Sequence, residues 1–218
     1  VAFANEIGTL CKHTGVDTEA VTRMFLSDTQ LNISSYYLSP GFAFGGSCLP
    51  KDVRAITYRG KELDCKLPLI ESIMSSNQEH IERAFQSILT YGRKKIGLLG
   101  LSFKSGTDDL RESPQVLLIK KLLGEGYHVR IWDENVYLGR LIGSNRRFIE
   151  DNIPHIGSLL TNDLKQVVYE SEVVLVGSNV DRINLESLLQ PTQIVVDLVN
   201  LHKNDRAIGA GKYEGICW

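Results

Sequence analysis

Lys95-Ile96-Gly97-Leu98-Leu99-Gly100-Leu101 decides the fold. The run is short and almost wholly apolar after its first residue, as a parallel strand buried on both faces reads. Ser113-Pro114 downstream supplies an N-cap and a first-turn proline for a helix through Leu123, ended by Gly124 or Gly126. Similar runs recur at His128 to Asp133, Val173 to Gly177 and Ile194 to Val199. Between them Asn162-Asp163 opens a helix through Val168, and a short helix is expected around Leu185 to Leu189. Strands alternating with helices predict an α/β fold: a Rossmann-like, doubly wound parallel-sheet domain over residues 92–218. Residues 139–158 carry the least readable pattern.

The chain ahead of that domain, residues 1–91, reads as all-helical. Phe3, Ile7, Leu10 and Cys11 share one helical face, and Gly15 is placed to end that helix. Asp17 can cap a second helix through Phe25, with Glu19 in its first turn. Asp28 to Ser39 is polar and irregular, with Tyr36-Tyr37 near its end. Adjacent tyrosines cannot both point inward on a strand, so one is free to pack or to meet a ligand. A long helix from Pro68 presents a stripe of Leu69, Ile70, Ile73, Met74, Asn77, Ile81, Ala84, Phe85, Ile88 and Leu89, the pattern of a domain or subunit interface. Asn77 on that stripe reads as a satisfied core amide.

Between these helices lies Pro40-Gly41-Phe42-Ala43-Phe44-Gly45-Gly46-Ser47-Cys48-Leu49-Pro50-Lys51-Asp52. Gly45 and Gly46 open backbone conformations closed to other residues and allow a ligand to approach. Pro50 suits the first turn of a helix running to about Leu63, which puts Cys48 at that helix's start and Lys51 one turn away. Both features favour a thiolate, the form in which cysteine is a nucleophile. Asp52 adds a carboxylate as base or water-holder. The alternative is a Gly-rich turn carrying an inert, packed cysteine.

In doubly wound folds ligands sit at the carboxyl ends of the strands, so the loop Phe103 to Ser113 is the second place to look. It is not G-x-G-x-x-G, which speaks against a dinucleotide pyrophosphate cradle here. It offers Lys104 and Arg111 beside a helix N-terminus, which suits a diphosphate, or else a solvated charge cluster of Asp108, Asp109, Arg111 and Glu112.

The stretch Pro40 to Asp52 resembles the active-site segment G-F-G-G-S-C-x-P-K-D of the nucleotide-sugar 6-dehydrogenases, the UDP-glucose and GDP-mannose dehydrogenases, and its variant looks like the GDP-mannose branch. Phe103 to Pro114 resembles a second signature of that family, and Ala4-Asn5-Glu6 its central helix. The resemblance implies NAD-dependent oxidation of GDP-mannose to GDP-mannuronate, a two-step, four-electron reaction through a Cys48 thiohemiacetal and thioester. It implies Cys48 and Asp52 as catalytic residues and Lys51 and Arg111 as cofactor contacts. Asn5, Tyr36, Tyr37, Phe42, Gly45 and Lys104 would line the substrate pocket, and Cys11 would be structural. It further implies that residues 1–91 are part of the family's central dimerisation domain, joining a homo-oligomer through the helical segment, and mannuronate supply for a polysaccharide. Ser39 departs from the branch, which carries arginine there, and a serine cannot replace a bidentate charged contact. The family's N-terminal nucleotide domain and the lysine-bearing segment upstream of Val1 are expected to be missing, leaving a fragment inactive alone.

The chain of 218 residues, 43% hydrophobic and 23% charged, has room for one large or two small soluble domains. A net charge of −2 gives no footprint for nucleic acid or an anionic membrane. No apolar run approaches the roughly 20 residues of a membrane helix. Cys11, Cys48, Cys65 and Cys217 show no C-x-x-C spacing, so neither a metal site nor a disulfide framework is implied, which fits a reducing cytoplasm. Two other readings remain open besides a UDP-hexose enzyme of the same family. One is a non-catalytic sugar-nucleotide-binding and oligomerisation module. The other is a thiol hydrolase or acyltransferase, which would need a histidine beside Cys48.

Overall fold

The computed structural model describes residues 1–29, 38–104, 106–201 and 211–218, without the side chains of Arg182 and Ile183. The expected ligand contacts at Tyr36 and Tyr37 therefore lie outside the described residues. Four helices lead the chain: α1 (Ala2–Thr14), α2 (Thr18–Ser27), α3 (Leu49–Glu62) and α4 (Pro68–Thr90). Their ends follow local chemistry. Gly15, in the left-handed region at φ 71°, terminates α1, and the Asp17 carboxylate accepts from the Glu19 N–H to start α2.

The alternating part comprises β1 (Lys95–Leu99), α5 (Pro114–Gly124), β2 (His128–Trp132), α6 (Gly143–Asn152), α7 (Ile156–Leu159), α8 (Leu164–Tyr169), β3 (Val173–Val176), α9 (Arg182–Leu188), β4 (Ile194–Asp197) and β5 (Lys212–Gly215). The five strands form one parallel sheet in the order β2-β1-β3-β4-β5. Ile96, Leu98, Val173, Leu175 and Val196 face a core shared with α4, α5, α6 and α7. Leu99, Val174, Val176 and Val195 face the opposite core, which α8 and α9 cover. Helices on both faces make the sheet doubly wound, with the strand order of flavodoxin-like rather than dinucleotide-binding sheets.

Two features differ from the sequence reading. A fifth strand, β5, completes the sheet. On α1 the buried residues are Ala4, Asn5, Gly8, Thr9 and Cys11, while Phe3 and Leu10 are 54% and 59% exposed. Close packing explains the rotation: a Cβ on Gly8 would lie 2.9 Å from both Cys217 and Pro40, so the narrow side of α1 turns inward. Helix α4 crosses from the helical segment onto the sheet, burying Ile81, Ala84, Phe85 and Ile88 in the core of β1 and α5. Asn77 is buried and satisfied, as expected.

Glu214 on β5 binds the two parts together. Its carboxylate accepts from Lys12 Nζ of α1 (2.9 Å), Ser87 Oγ (3.2 Å) and Tyr91 OH (2.6 Å), and Lys212 lies 3.0 Å away. Burial alone would push this carboxyl up; the bonds from Tyr91, Lys12 and Lys212 outweigh it and bring the pKa to about 2.

Candidate active site: the Gly-rich turn and the loop after β1

The glycine-rich turn hangs on side-chain amides from two helices. Asn5 of α1 accepts from the Gly41 N–H at 3.0 Å and donates to the Phe42 carbonyl at 3.4 Å. Asn77 of α4 accepts from the Phe44 N–H and donates to its carbonyl, both at 2.9 Å, as a partner strand would. His80 Nε2–H donates to the Gly41 carbonyl at 2.7 Å. Burial holds this imidazole below its ordinary value against the pull of that carbonyl. These three anchors satisfy a backbone that has no ladder of its own.

The other side of the turn rests on the loop after β1. Gly45 approaches so closely that a Cβ would sit 2.3 Å from the Glu112 carbonyl oxygen and 2.7 Å from Pro114 Cδ. Gly46, at φ 85°, stacks on the Phe103 ring and donates its N–H to the Arg111 carbonyl at 3.1 Å. Only glycine meets both demands, which is why two stand in succession. The loop beneath is itself fixed. Asp133 at the end of β2 accepts from the Leu101 and Ser102 N–H groups, and Asn145 of α6 pins Asp108 and Leu110.

Cys48 emerges from this platform exposed, at the N-cap position of α3. Its sulfur lies 3.8 Å from Ser47 Oγ. Asp52 stands one helical turn on, its N–H bonded to the Cys48 carbonyl and its carboxylate 3.3 Å from Lys51 Nζ. Asp109 grips Arg111 with two bonds of 2.7 and 2.8 Å. The Arg111 guanidinium is held above its ordinary value, chiefly by those Asp109 bonds and to a lesser degree by the charge of Cys48. Across the junction Arg54 of α3 makes a bidentate pair with Glu112, both bonds at 2.8 Å.

The expected site residues therefore separate by place. Cys48, Lys51 and Asp52 lie exposed at the start of α3, Arg111 is half-buried on the loop whose carbonyl meets Gly46, and Lys104 stands exposed on that loop. Gly45 is buried between turn and loop. Phe42 is half-buried with its ring 6.2 Å from His80. Asn5, only 3% exposed, spends its amide on the turn's backbone. Sequence reasoning passed over Arg54, placed Glu112 only in a charge cluster and saw no structural part for His80. His80 is committed to the Gly41 carbonyl and lies 3.7 Å from Cys217. A cavity of about 460 Å³ opens between α1 and α4, lined by Asn5, Glu6, His13, Asn77, His80 and Arg83 among others; neither Cys48 nor Arg111 borders it. Among the described residues no helix is long and apolar enough to cross a membrane and no acidic, histidine or cysteine cluster could hold a metal.

Comparison with known proteins matches this architecture. Residues 1–79 match the model of the UDP-glucose/GDP-mannose dehydrogenase family, central domain, and residues 97–204 that of the same family's UDP binding domain. The GDP-mannose 6-dehydrogenase of Pseudomonas putida is 47% identical over 219 aligned positions, spanning 100% of this chain and 50% of that protein. The UDP-glucose 6-dehydrogenase of Rickettsia bellii is 30% identical, spanning 97% of this chain and 48% of its own. The crystal structure of a ternary complex of GDP-mannose dehydrogenase from Pseudomonas aeruginosa superposes with a TM-score of 0.76 at 48% identity, covering 100% of this chain and 49% of that one. The chain spans about half the length of the curated relatives it matches. With both family models in chain order, the chain belongs to the UDP-glucose/GDP-mannose dehydrogenase family.

Proposed function

We propose that the chain is the cysteine-bearing half of an NAD-dependent GDP-mannose 6-dehydrogenase, with a central helical unit over residues 1–91 and a sugar-nucleotide-binding unit over 92–218. The observation that carries this reading is the docked turn: Gly45 and Gly46 wedged on Arg111-Glu112, with Cys48 exposed at the start of α3 and Asp52 one turn away. The GDP-mannose branch is supported by 47% identity to the Pseudomonas putida enzyme against 30% to the Rickettsia UDP-glucose enzyme.

The described residues form no pyrophosphate cradle. The space beside Gly100 is filled by Ser178 and that beside Gly177 by the Gly100 carbonyl and Gln115. What the chain offers a dinucleotide is the charge of Lys51 and Arg111. When bound, NAD supplies the hydride acceptor for both oxidations.

The residues in hand account for retention and release of the intermediate. The alcohol at C6 is first oxidised to an aldehyde. The Cys48 thiolate adds to the aldehyde carbon, the carbonyl electron pair moves to oxygen, and that oxygen takes a proton. The thiohemiacetal so formed keeps the sugar on the protein and still carries one hydrogen on carbon. Loss of that hydrogen as hydride, with the hydroxyl proton released to solvent as the oxygen lone pair re-forms the carbonyl, leaves a thioester. Water, giving its proton to Asp52, attacks the thioester carbon; the C–S bond breaks, freeing the thiolate and the carboxylate product. Phe42, Lys104 and the Gly45 backbone are proposed to line the sugar-nucleotide pocket with Tyr36 and Tyr37. Asn5 serves there through the turn it holds. Association of helical segments from two copies is proposed as well, the exposed Phe3, Leu10 and Met24 on α1 and α2 being available to it.

The test follows NADH formation by the protein joined to the amino-terminal half its relatives carry, with GDP-mannose and, separately, UDP-glucose. Two NADH per GDP-mannose, with Cys48→Ser unable to release acid, supports the reading. Turnover with UDP-glucose alone moves the substrate, and full activity in Cys48→Ser refutes the thioester route.

A further inference from the structure

Glu112 holds a backbone conformation that glutamate seldom adopts. Its φ is 54°, in the left-handed region where glycine is at ease and a side chain is strained. Glycine at this position would keep the carbonyl that meets Gly45 and relieve the strain. The reason for a glutamate therefore lies in its side chain, which crosses to α3 and takes Arg54 in two bonds of 2.8 Å.

Arg54 sits in the second turn of the helix that begins at Cys48. With side-chain exposures of 54% and 35%, the pair contributes little to global stability. Its two parallel bonds instead fix direction, since a planar guanidinium on a carboxylate tolerates little rotation. They act at the junction where the Gly46 N–H meets the Arg111 carbonyl. We propose that Arg54 and Glu112 form a latch that fixes α3, and Cys48 at its start, against the loop carrying Arg111. Both are positioning residues for the Cys48 chemistry, and the inference rests on Cys48 being the nucleophile.

The test uses the 218-residue chain and two readouts: hydrogen exchange at the Gly46 and Phe44 amides, and alkylation of Cys48 relative to the exposed Cys65. In Arg54→Met and Glu112→Gly, exchange at Gly46 should rise about tenfold and the Cys48 to Cys65 rate ratio fall about threefold, the range of a directly coupled pair. Phe44, held by Asn77, should not change. Glu112→Gly should melt no lower than the parent, separating lost positioning from lost stability. Arg54→Lys should recover the rate only in part, and the exchanged pair Arg54→Glu with Glu112→Arg should recover it to within about twofold. Unchanged exchange at Gly46 overturns the latch. Faster exchange with an unmoved rate ratio overturns its role in positioning. A parent Cys48 that reacts no faster than Cys65 sinks the nucleophile reading, and the latch is then decided by exchange alone.

Discussion

Alanine at Gly45 would force apart the two segments that build the site. Its methyl would arrive 2.3 Å from the Glu112 carbonyl oxygen and 2.7 Å from Pro114 Cδ, against the 3.0 Å below which such contacts essentially never occur. Neither obstacle is a flexible side chain: one is backbone and the other a proline ring at the start of α5. The turn must therefore lift, breaking the 3.1 Å bond from the Gly46 N–H to the Arg111 carbonyl. Overpacking of this kind costs about 1–3 kcal/mol. In a chain of this size one kcal/mol corresponds to about 2–4 °C, so the expected fall in Tm is roughly 2–12 °C. Thermal melting gives the cost, and amide exchange at Gly46 shows where it falls. Gly41→Ala is the control. Its Cβ meets nothing within 4 Å, so Tm should stay within about 2 °C of the parent. Gly46→Ala adds a second penalty: φ 85° costs alanine about 1–2 kcal/mol beyond its overlap with Phe103. Removing the ring in Gly46→Ala/Phe103→Ala should recover the overlap and not the φ share. A Gly45→Ala chain that melts with the parent and keeps Gly46 protected would refute the docked arrangement.

Further expectations concern stability and the thiols. The Glu214 carboxyl lies at about 2 instead of its ordinary 4.5, so its stabilisation is present above pH 4.5 and lost as pH falls towards 2. That loss is roughly 2–3 kcal/mol, and urea unfolding of Glu214→Gln should lack this share of the acid dependence. Cys48 and Cys65 are exposed while Cys11 and Cys217 are buried, and burial pushes the Cys217 thiol up to about 12. Titration with a thiol reagent should label the first pair quickly and the second only on unfolding; fast labelling of Cys217 would contradict its packing against Gly8 and His80. Asn77→Leu leaves the Phe44 N–H and carbonyl without their partner, at a cost of about 1–3 kcal/mol read from the urea midpoint, with Phe44 exchange accelerated.

What the sequence made legible was local. Ser113-Pro114, Asp17 and Gly15 act on their own neighbours, so each cap could be read from a few adjacent residues and the structure has it. The β1 run is apolar on both faces because helices cover both, and that too is written in five residues. Strand β5 escaped because Lys212-Tyr213-Glu214-Gly215 is short and polar: it forms a sheet edge, and its glutamate faces the helices α1 and α4. Residues 139–158 escaped because α6 and α7 are brief and bury little beyond Ile149, Ile153 and Ile156. On α1 the periodicity found an apolar face correctly as geometry, but periodicity does not say which face a partner covers. Of the candidate site, the glycine-rich motif was visible and its supports were not. Asn77 gave a faint signal as an amide on an apolar stripe. The Arg54–Glu112 pair joins residues 58 positions apart and left no local trace.

The way the turn is held bears on why its cysteine can be both fixed and reachable. A buried nucleophile would be positioned by packing but closed to a sugar nucleotide, and one on a free loop would be open but unplaced. Here the backbone on the helical side is bonded by Asn5, Asn77 and His80, so Gly41, Phe42 and Phe44 are fixed before α3 begins. On the sheet side the turn rests on a loop whose own amides are taken by Asp133 and Asn145. Neither set of contacts uses the Cys48 side chain, which stays exposed at the meeting of the two. On the proposed thioester route, a thiol that bonds to carbon, releases a carboxylate and begins again needs that combination. Positioning falls to neighbours whose polar groups are spent on the turn and its loop, and the Cys48 sulfur keeps one open side.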